Sequence, residues 1–220
     1  MPIAKINLED LDSAATSARI KVAVIEDDES MRQALSFQLN TAGLEVVAYT
    51  CAEELLEASD AREFDCVVAD IYLPKMNGLQ LQEELNRTIP FASIVFITGH
   101  GDLALGMHAM RKGAVDFLEK PLDDHAILSS IARGAELSRR RRAERSHLVE
   151  LEELNRSLTS REREVFALIT SGLLNKQVAA ELGTTERTVK AHRASVMNKM
   201  RADSIADLVR MAGVLQLHSA

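Results

Sequence analysis

The amino-acid pattern predicts an α/β domain built on a parallel sheet, followed by an all-α domain. Three observations carry that prediction. Short apolar runs alternate with amphipathic stretches from residue 20 to about 135; the stretch from Asp123 to about Leu158 has no Pro and one Gly; and beyond it only helical periodicity is found. Charge divides the chain in the same way, with 10 basic and 22 acidic side chains in residues 1–125 against 10 and 6 in residues 155–220. At 220 residues and a net charge of −7, there is chain enough for two cores. The acidic balance does not exclude nucleic acid, because the charge that matters is that of the domain touching phosphates.

The apolar runs at 20–25, 46–49, 66–69, 94–98 and 116–118 are predicted strands, and helices are predicted near 30–41, 52–60, 78–87 and 102–112. Strands that alternate with helices pair in parallel, since parallel neighbours need crossover connections. Their nearly continuous apolar character fits burial on both faces.

Residues 123–158, rich in Ala, Leu, Glu and Arg, read as one long helix or two in tandem. Within them Arg139, Arg140, Arg141 and Arg142 are either a nucleic-acid patch or, as favoured here, a solvated face balanced by Glu144, Glu150, Glu152 and Glu153. Leu148, Leu151, Leu154 and Leu158 form a short stripe that suits either a coiled-coil contact or packing against the chain's own domains.

Thr159-Ser160-Arg161-Glu162 fits a capping box, with Thr159 at the cap and Glu162 reaching back. The helix it opens carries Val165, Phe166, Leu168 and Ile169 and ends at Gly172. A second helix runs from about Asn175 to Leu182 and stops at Gly183; Thr184-Thr185 opens a third, with Val189, Val196 and Met200 on one face. Two short helices around a Gly-containing turn have the shape of a helix-turn-helix.

Cys51 and Cys66 are the only cysteines, too few for a disulfide framework and suited to a reducing compartment. Residues 1–19 lack a basic start followed by an apolar core, so a flexible extension is expected there instead of a signal peptide, and no apolar run approaches membrane-spanning length. A cytoplasmic protein without membrane association is the expectation.

The chemistry gathers at strand ends. Glu26 and Asp27 follow the first strand, Asp70 ends the third, Thr98 ends the fourth, and Lys120-Pro121 follows the fifth. In an open parallel sheet these ends meet at one edge, where ligands bind. Carboxylates brought together there need a cation, and an open oxygen-rich site suits Mg²⁺. A carboxylate can also act as a nucleophile and form an aspartyl phosphate, whose charge a nearby Lys and hydroxyl would stabilise.

Residues 20–125 resemble a response-regulator receiver domain. The resemblance is carried by Val24-Ile25-Glu26-Asp27-Asp28-Glu29-Ser30-Met31-Arg32, Val67-Val68-Ala69-Asp70-Ile71-Tyr72-Leu73-Pro74, Ile97-Thr98-Gly99-His100-Gly101-Asp102 and Ala114-Val115-Asp116-Phe117-Leu118-Glu119-Lys120-Pro121. Leu158-Thr159-Ser160-Arg161-Glu162-Arg163-Glu164-Val165, the segment from Asn175 to Gly183, and Thr188-Val189-Lys190-Ala191-His192-Arg193 resemble a LuxR-type helix-turn-helix domain. The whole is similar to two-component regulators of the FixJ/NarL type, and about nine tenths of the chain is covered. It implies a flavodoxin-like sheet of order 2-1-3-4-5 over 20–125, a helical linker over 126–157 and a DNA-binding domain over 158–220.

The resemblance further implies Asp70 as phosphoacceptor, Asp27 as a direct ligand of Mg²⁺ (or Mn²⁺), Glu26 holding a metal-bound water, and the Tyr72 backbone carbonyl as a further ligand. Thr98 and Lys120 would contact phosphoryl oxygens, Phe117 stands at the place of the rotating aromatic, and the Lys120–Pro121 bond would be cis. Counting back from Arg32 favours Glu26/Asp27 over Asp27/Asp28 as the acidic pair, with Glu where many relatives carry Asp. In the second domain Lys190, Ala191 and Ala194 take the base-facing positions, and Lys176, Thr185, Thr188 and Lys199 are expected at phosphates. The last helix, about 204–215, would pair subunits. A sensor histidine kinase, promoter DNA, RNA polymerase and a second copy of the chain are the implied partners.

Two rivals are weaker. A phosphatase of the haloacid-dehalogenase kind needs a second Asp two residues after the nucleophile, where this chain has Tyr72, and neither a phosphate-cradling G-x-x-x-x-G-K-[ST] loop nor a G-x-G-x-x-G fingerprint is present. A DNA-binding regulator independent of phosphorylation would not require the full acidic set.

Overall fold

The computed structural model describes residues 19–99 and 103–217. Apart from Arg19, the expected N-terminal extension lies outside the described residues, as do His100, Gly101 and Asp102 of the fourth-strand motif. The chain divides into two compact units between Arg140 and Arg141, inside the segment expected as a linker.

The first unit alternates strand and helix: β1 (Lys21–Ile25), α1 (Glu29–Thr41), β2 (Glu45–Tyr49), α2 (Ala52–Glu57), β3 (Cys66–Asp70), α3 (Gly78–Thr88), β4 (Ser93–Thr98), α4 (Leu103–Arg111) and β5 (Asp116–Glu119), followed by α5 (Asp124–Arg156). The five strands form one parallel sheet in the order β2-β1-β3-β4-β5, as the resemblance implied. Helix α2 is shorter than the expected 52–60, because Ala58 turns to an extended conformation and a single 3₁₀ turn over Ala61–Glu63 follows.

Alternation along the strands builds two cores. Ala23, Ile25, Val67, Ala69, Ile94 and Phe96 face Leu55 of α2, Leu81 and Leu85 of α3 and Ala109 of α4. Val22, Val24, Val68, Val95 and Ile97 face Leu35 and Leu39 of α1 and Ile127 and Ile131 of α5. Burial on both faces explains why the central strands read as unbroken apolar runs.

Segment 123–158 resolves as one helix instead of two. Its first part is tied to the start of the sheet: Ser138 Oγ donates to Ser93 Oγ at 3.0 Å, and Arg139 Nη2 donates to Asp65 Oδ2 at 3.0 Å. Gly134 lies so close to Cys66 that an added Cβ would stand 2.9 Å from its Sγ. Arg139 is exposed, as a solvated arginine face requires, but its guanidinium is also held by the buried carboxylate of Asp65, an acid outside the glutamates expected to balance it.

The second unit holds the end of α5 and four further helices: α6 (Ser160–Thr170), α7 (Asn175–Glu181), α8 (Glu186–Lys199) and α9 (Ile205–Leu217). Thr159 and Glu162 form the expected capping box, and Gly172 and Gly183 adopt positive φ after α6 and α7. Val165, Phe166 and Ile169 of α6, Val178 of α7, Val189, Val196 and Met200 of α8, and Leu208 of α9 form the core. The leucine stripe is covered by the chain's own packing: Leu148, Leu151 and Leu158 are buried and Leu154 packs on this core. Among the described residues no helix is long and apolar enough to cross a membrane.

Candidate functional site

Parallel register brings the acidic and basic residues to one edge. Ile25 pairs with Ala69, Asp70 with Ile97, and Thr98 with Glu119, so Glu26, Asp70, Thr98 and Lys120 all stand at carboxyl ends of neighbouring strands. Lys120 Nζ donates to Asp70 Oδ2 and to Glu26 Oε2, each at 2.6 Å. The other oxygen of Asp70 accepts the Tyr72 backbone N–H at 2.8 Å. Thr98 is fully buried, and its carbonyl accepts the Lys120 N–H at 2.8 Å. The Lys120–Pro121 bond is cis.

The two registers of the acidic pair differ in what the structure makes of them. Glu26 is buried against Lys120 at 2% exposure. Asp28 caps α1, its Oδ1 accepting the Met31 N–H at 2.7 Å, so its carboxylate has a structural partner. Asp27 lies between them, exposed, and its carboxylate accepts no hydrogen bond from any described residue. Arg32, one turn into α1, donates to the carbonyls of Glu26 and Asp27 at 2.8 and 3.2 Å and holds this loop in place.

Burial pushes the Glu26 carboxyl above the usual carboxylate range, Lys120 opposes that rise, and the charge of Asp70 adds to it. Burial works against the charge on Lys120, but its bonds to Asp70 and Glu26 outweigh it and hold its pKa above the ordinary lysine value. The ammonium therefore stays charged and stands in for the cation that two close carboxylates need.

The oxygen donors of Glu26, Asp27, Asp70 and the Tyr72 carbonyl are a set that suits a hard dication. Among the described residues no three ligating side chains stand together as a ready-made metal cage; Lys120 occupies Glu26 and one oxygen of Asp70, while the Asp27 carboxylate is open to solvent. This fits an open site that leaves much of the ion's shell to water and ligand, and does not fit a closed protein cage.

Phe117, at half-burial on β5, lies beside Phe96 with ring centroids 6.5 Å apart. Gly106 of α4 faces it: a Cβ there would come within 3.1 Å of the Phe117 ring. Leu103, Met107 and Met110 of α4 border an open groove floored by Phe117, and all three are exposed.

In the second unit the outward face of α8 consists of Arg187, Lys190, Ala191, Ala194 and Asn198, with Thr188 exposed in its first turn. Thr185 caps α8 through the Thr188 N–H at 3.2 Å. Lys176 is exposed in the first turn of α7. Lys199 is placed differently from the other expected phosphate contacts. Its ammonium donates to Glu162 Oε2 at 2.7 Å and to the Ser157 carbonyl at 3.3 Å. Sequence reasoning saw Glu162 as half of a cap but not as the partner of α8, and no local pattern announces a pairing across 37 residues.

Comparison with known proteins agrees with both halves. Residues 22–132 match the model of the response regulator receiver domain, and residues 156–212 match that of the bacterial regulatory proteins of the luxR family. The chain is 45% identical over 199 residues to Nodulation protein W of Bradyrhizobium diazoefficiens, covering 90% of this chain and 88% of that one. It is 42% identical over 197 residues to the transcriptional regulatory protein FixJ of Azorhizobium caulinodans, covering 88% and 92%. Among solved structures, that of the response regulator StyR superposes with a TM-score of 0.80 at 42% identity, covering 89% of this chain and 99% of that one.

The chain thus belongs to the response regulators of the FixJ/NarL type, pairing a receiver domain with a LuxR-type DNA-binding domain. It is a transcriptional regulator of a two-component system, a class that works between a sensor kinase and DNA and whose receivers generally bind Mg²⁺ at the acidic site.

Proposed function

We propose that a sensor histidine kinase phosphorylates Asp70 and that the phosphoryl group switches the protein into a dimer that binds promoter DNA and acts on RNA polymerase in the cytoplasm. The observation that carries this reading is Lys120 Nζ held 2.6 Å from both Asp70 and Glu26 at the carboxyl edge of the sheet. One Asp70 oxygen bonds to phosphorus while the bond from phosphorus to the donor nitrogen breaks, its electron pair leaving with the donor imidazole. Asp27, Asp70, the Tyr72 carbonyl and, through a water, Glu26 would hold Mg²⁺ or Mn²⁺, which when bound supplies positive charge against the phosphoryl oxygens.

Thr98 and Lys120 then contact the phosphoryl oxygens, which bring roughly −1.5 to −2 charge. Phe117 turns inward and reshapes the face formed by α4, β5 and α5, through which two copies associate. In this reading residues 20–125 receive the signal, 126–157 link, and 158–220 bind DNA. Lys190, Ala191 and Ala194 read bases, Lys176, Thr185 and Thr188 contact phosphates, and α9 pairs the DNA-binding domains.

The test is mass spectrometry of the full chain with acetyl phosphate and Mg²⁺. One acid-stable, base-labile phosphoryl group is expected on the wild type and none on Asp70→Asn. Equal labelling of both would overturn the assignment. No labelling of the wild type would favour a regulator that works without phosphorylation.

A further inference from the structure

The Glu162 carboxylate is among the most heavily engaged polar groups of the second unit. It is buried, and Oε2 accepts the Thr159 N–H at 2.7 Å and the Lys199 ammonium at 2.7 Å, while Oε1 accepts the Ser195 hydroxyl at 2.7 Å. In return the Glu162 N–H donates to Thr159 Oγ1 at 3.3 Å. Ser195 and Lys199 are one helical turn apart on α8 and share a face, whereas Lys190, Ala191 and Ala194 lie on the exposed face. A single carboxylate fixed at the start of α6 therefore holds α8 at two points.

From this geometry we propose that Glu162, Ser195 and Lys199 form a positioning clamp that sets the rotation of α8 about its own axis, and that Lys199 serves this clamp instead of gripping a DNA phosphate. The proposal rests on α8 being the base-reading helix. A helix with its side chains has a radius of roughly 5–6 Å, so a turn of about 20° moves a side-chain tip by roughly 2 Å. That displacement is enough to break a hydrogen bond to a base edge. Fixing the rotation is thus a condition of base reading, met by residues that touch no base. Lys199 suits this role because its ammonium already has two protein acceptors, Glu162 and the Ser157 carbonyl.

The test is binding-site selection with the full chain, followed by affinities over a salt series, for wild type, Glu162→Gln, Ser195→Ala, Lys199→Ala and Lys199→Arg. The clamp predicts that Glu162→Gln and Lys199→Ala each weaken the selected site by roughly tenfold, the scale of one charge-assisted hydrogen bond. Both should flatten base preference and leave the salt slope of the wild type unchanged, whereas Lys199→Arg, which keeps a cation for the Glu162 carboxylate, should retain most of what Lys199→Ala loses. Ser195→Ala leaves the Thr159–Glu162 cap and the Lys199 pair in place, so it should flatten preference while the domain stays fully folded at the assay temperature, with at most a small fall in melting temperature, which guards against simple loss of fold.

A phosphate contact predicts otherwise: Lys199→Ala would lower the slope by about one per subunit, and Glu162→Gln, by freeing Lys199, would bind DNA as tightly or more tightly. Either result overturns the clamp. Weaker binding with base preference intact, the mark of fewer folded molecules, overturns it as well. A wild type that selects no sequence at all refutes the DNA-reading role of α8, and the clamp with it.

Discussion

Lys120 Nζ stands 2.6 Å from Asp70 Oδ2, and the same nitrogen is 2.6 Å from Glu26 Oε2. One ammonium thereby holds together two carboxylates that arrive from different strands, in a site where Glu26 is almost wholly buried. Lys120→Met would leave these carboxylates facing each other. Breaking such a partly buried pair should cost about 2–4 kcal/mol. The check is urea denaturation followed by a probe in the first unit. An unchanged midpoint would mean that the pair contributes nothing, and Glu26→Gln in the same chain should recover part of the loss.

Two glycines should separate folding from switching. At Gly78 an added Cβ would stand 2.8 Å from the Phe96 ring and 2.9 Å from the Asp70 carbonyl, so Gly78→Ala should displace α3 and lower stability by about 1–3 kcal/mol. At Gly106 the nearest atoms belong only to the Phe117 ring, at 3.1–3.3 Å. Gly106→Ala should fold and accept a phosphoryl group but lose the rise in self-association that follows phosphorylation. Sedimentation before and after treatment with acetyl phosphate decides it; a normal rise in Gly106→Ala would show that Phe117 does not need that space.

On DNA, Lys190 and Lys176 should part company. Lys190, exposed on α8, can reach guanine N7 and O6, and Lys190→Ala should cost about 1–3 kcal/mol and relax preference at one base pair per half-site. Lys176, exposed at the start of α7, should contact backbone only. Its replacement by Ala should weaken all sequences alike and lower the salt slope by about one per subunit. A dimer should protect half-sites about one turn, ~10 bp, apart. Unaltered base preference in Lys190→Ala would show that the helix reading bases has been misplaced.

The Glu162 carboxylate gives the second unit a defined acid response. Lys199 foremost, then Ser195 and the Thr159 N–H, lower its pKa from the ordinary 4.5 to about 2. A carboxylate lowered in the folded state adds stability that is fully present above its unfolded value and disappears as pH falls through the folded one. Its contribution should therefore decline between about pH 4.5 and about pH 2. Melting of the wild type and of Glu162→Gln should differ most at pH 6, and the difference should shrink as pH falls toward 2. A difference at pH 2 as large as that at pH 6 would contradict the assignment.

What could be read from the residues alone follows from how local each signal is. The strand ends were legible because Asp70, Thr98 and Lys120 close apolar runs, and the α6 cap because Thr159 and Glu162 are three residues apart. The outward face of α8 followed from a 3.6-residue repeat. The partners of Arg139 and Lys199 were not legible: Asp65 is 74 residues from the first and Glu162 is 37 from the second, and charge patterning says nothing about which acid a base will find. The same limit left open whether the leucine stripe would meet another chain or its own. The end of α2 is not legible because nothing in the composition of residues 58–60 forbids three further residues of helix, yet Ala58 is extended.

The central claim is that phosphorylation of Asp70 controls DNA binding, and fluorescence anisotropy on the selected site tests it most directly. The full chain is titrated with and without acetyl phosphate and Mg²⁺, beside Asp70→Asn under the same conditions. The account predicts that phosphorylated wild type binds roughly tenfold or more tightly than untreated protein and that Asp70→Asn shows no response. Equal affinity of treated and untreated wild type, or an equal gain in Asp70→Asn, would contradict it.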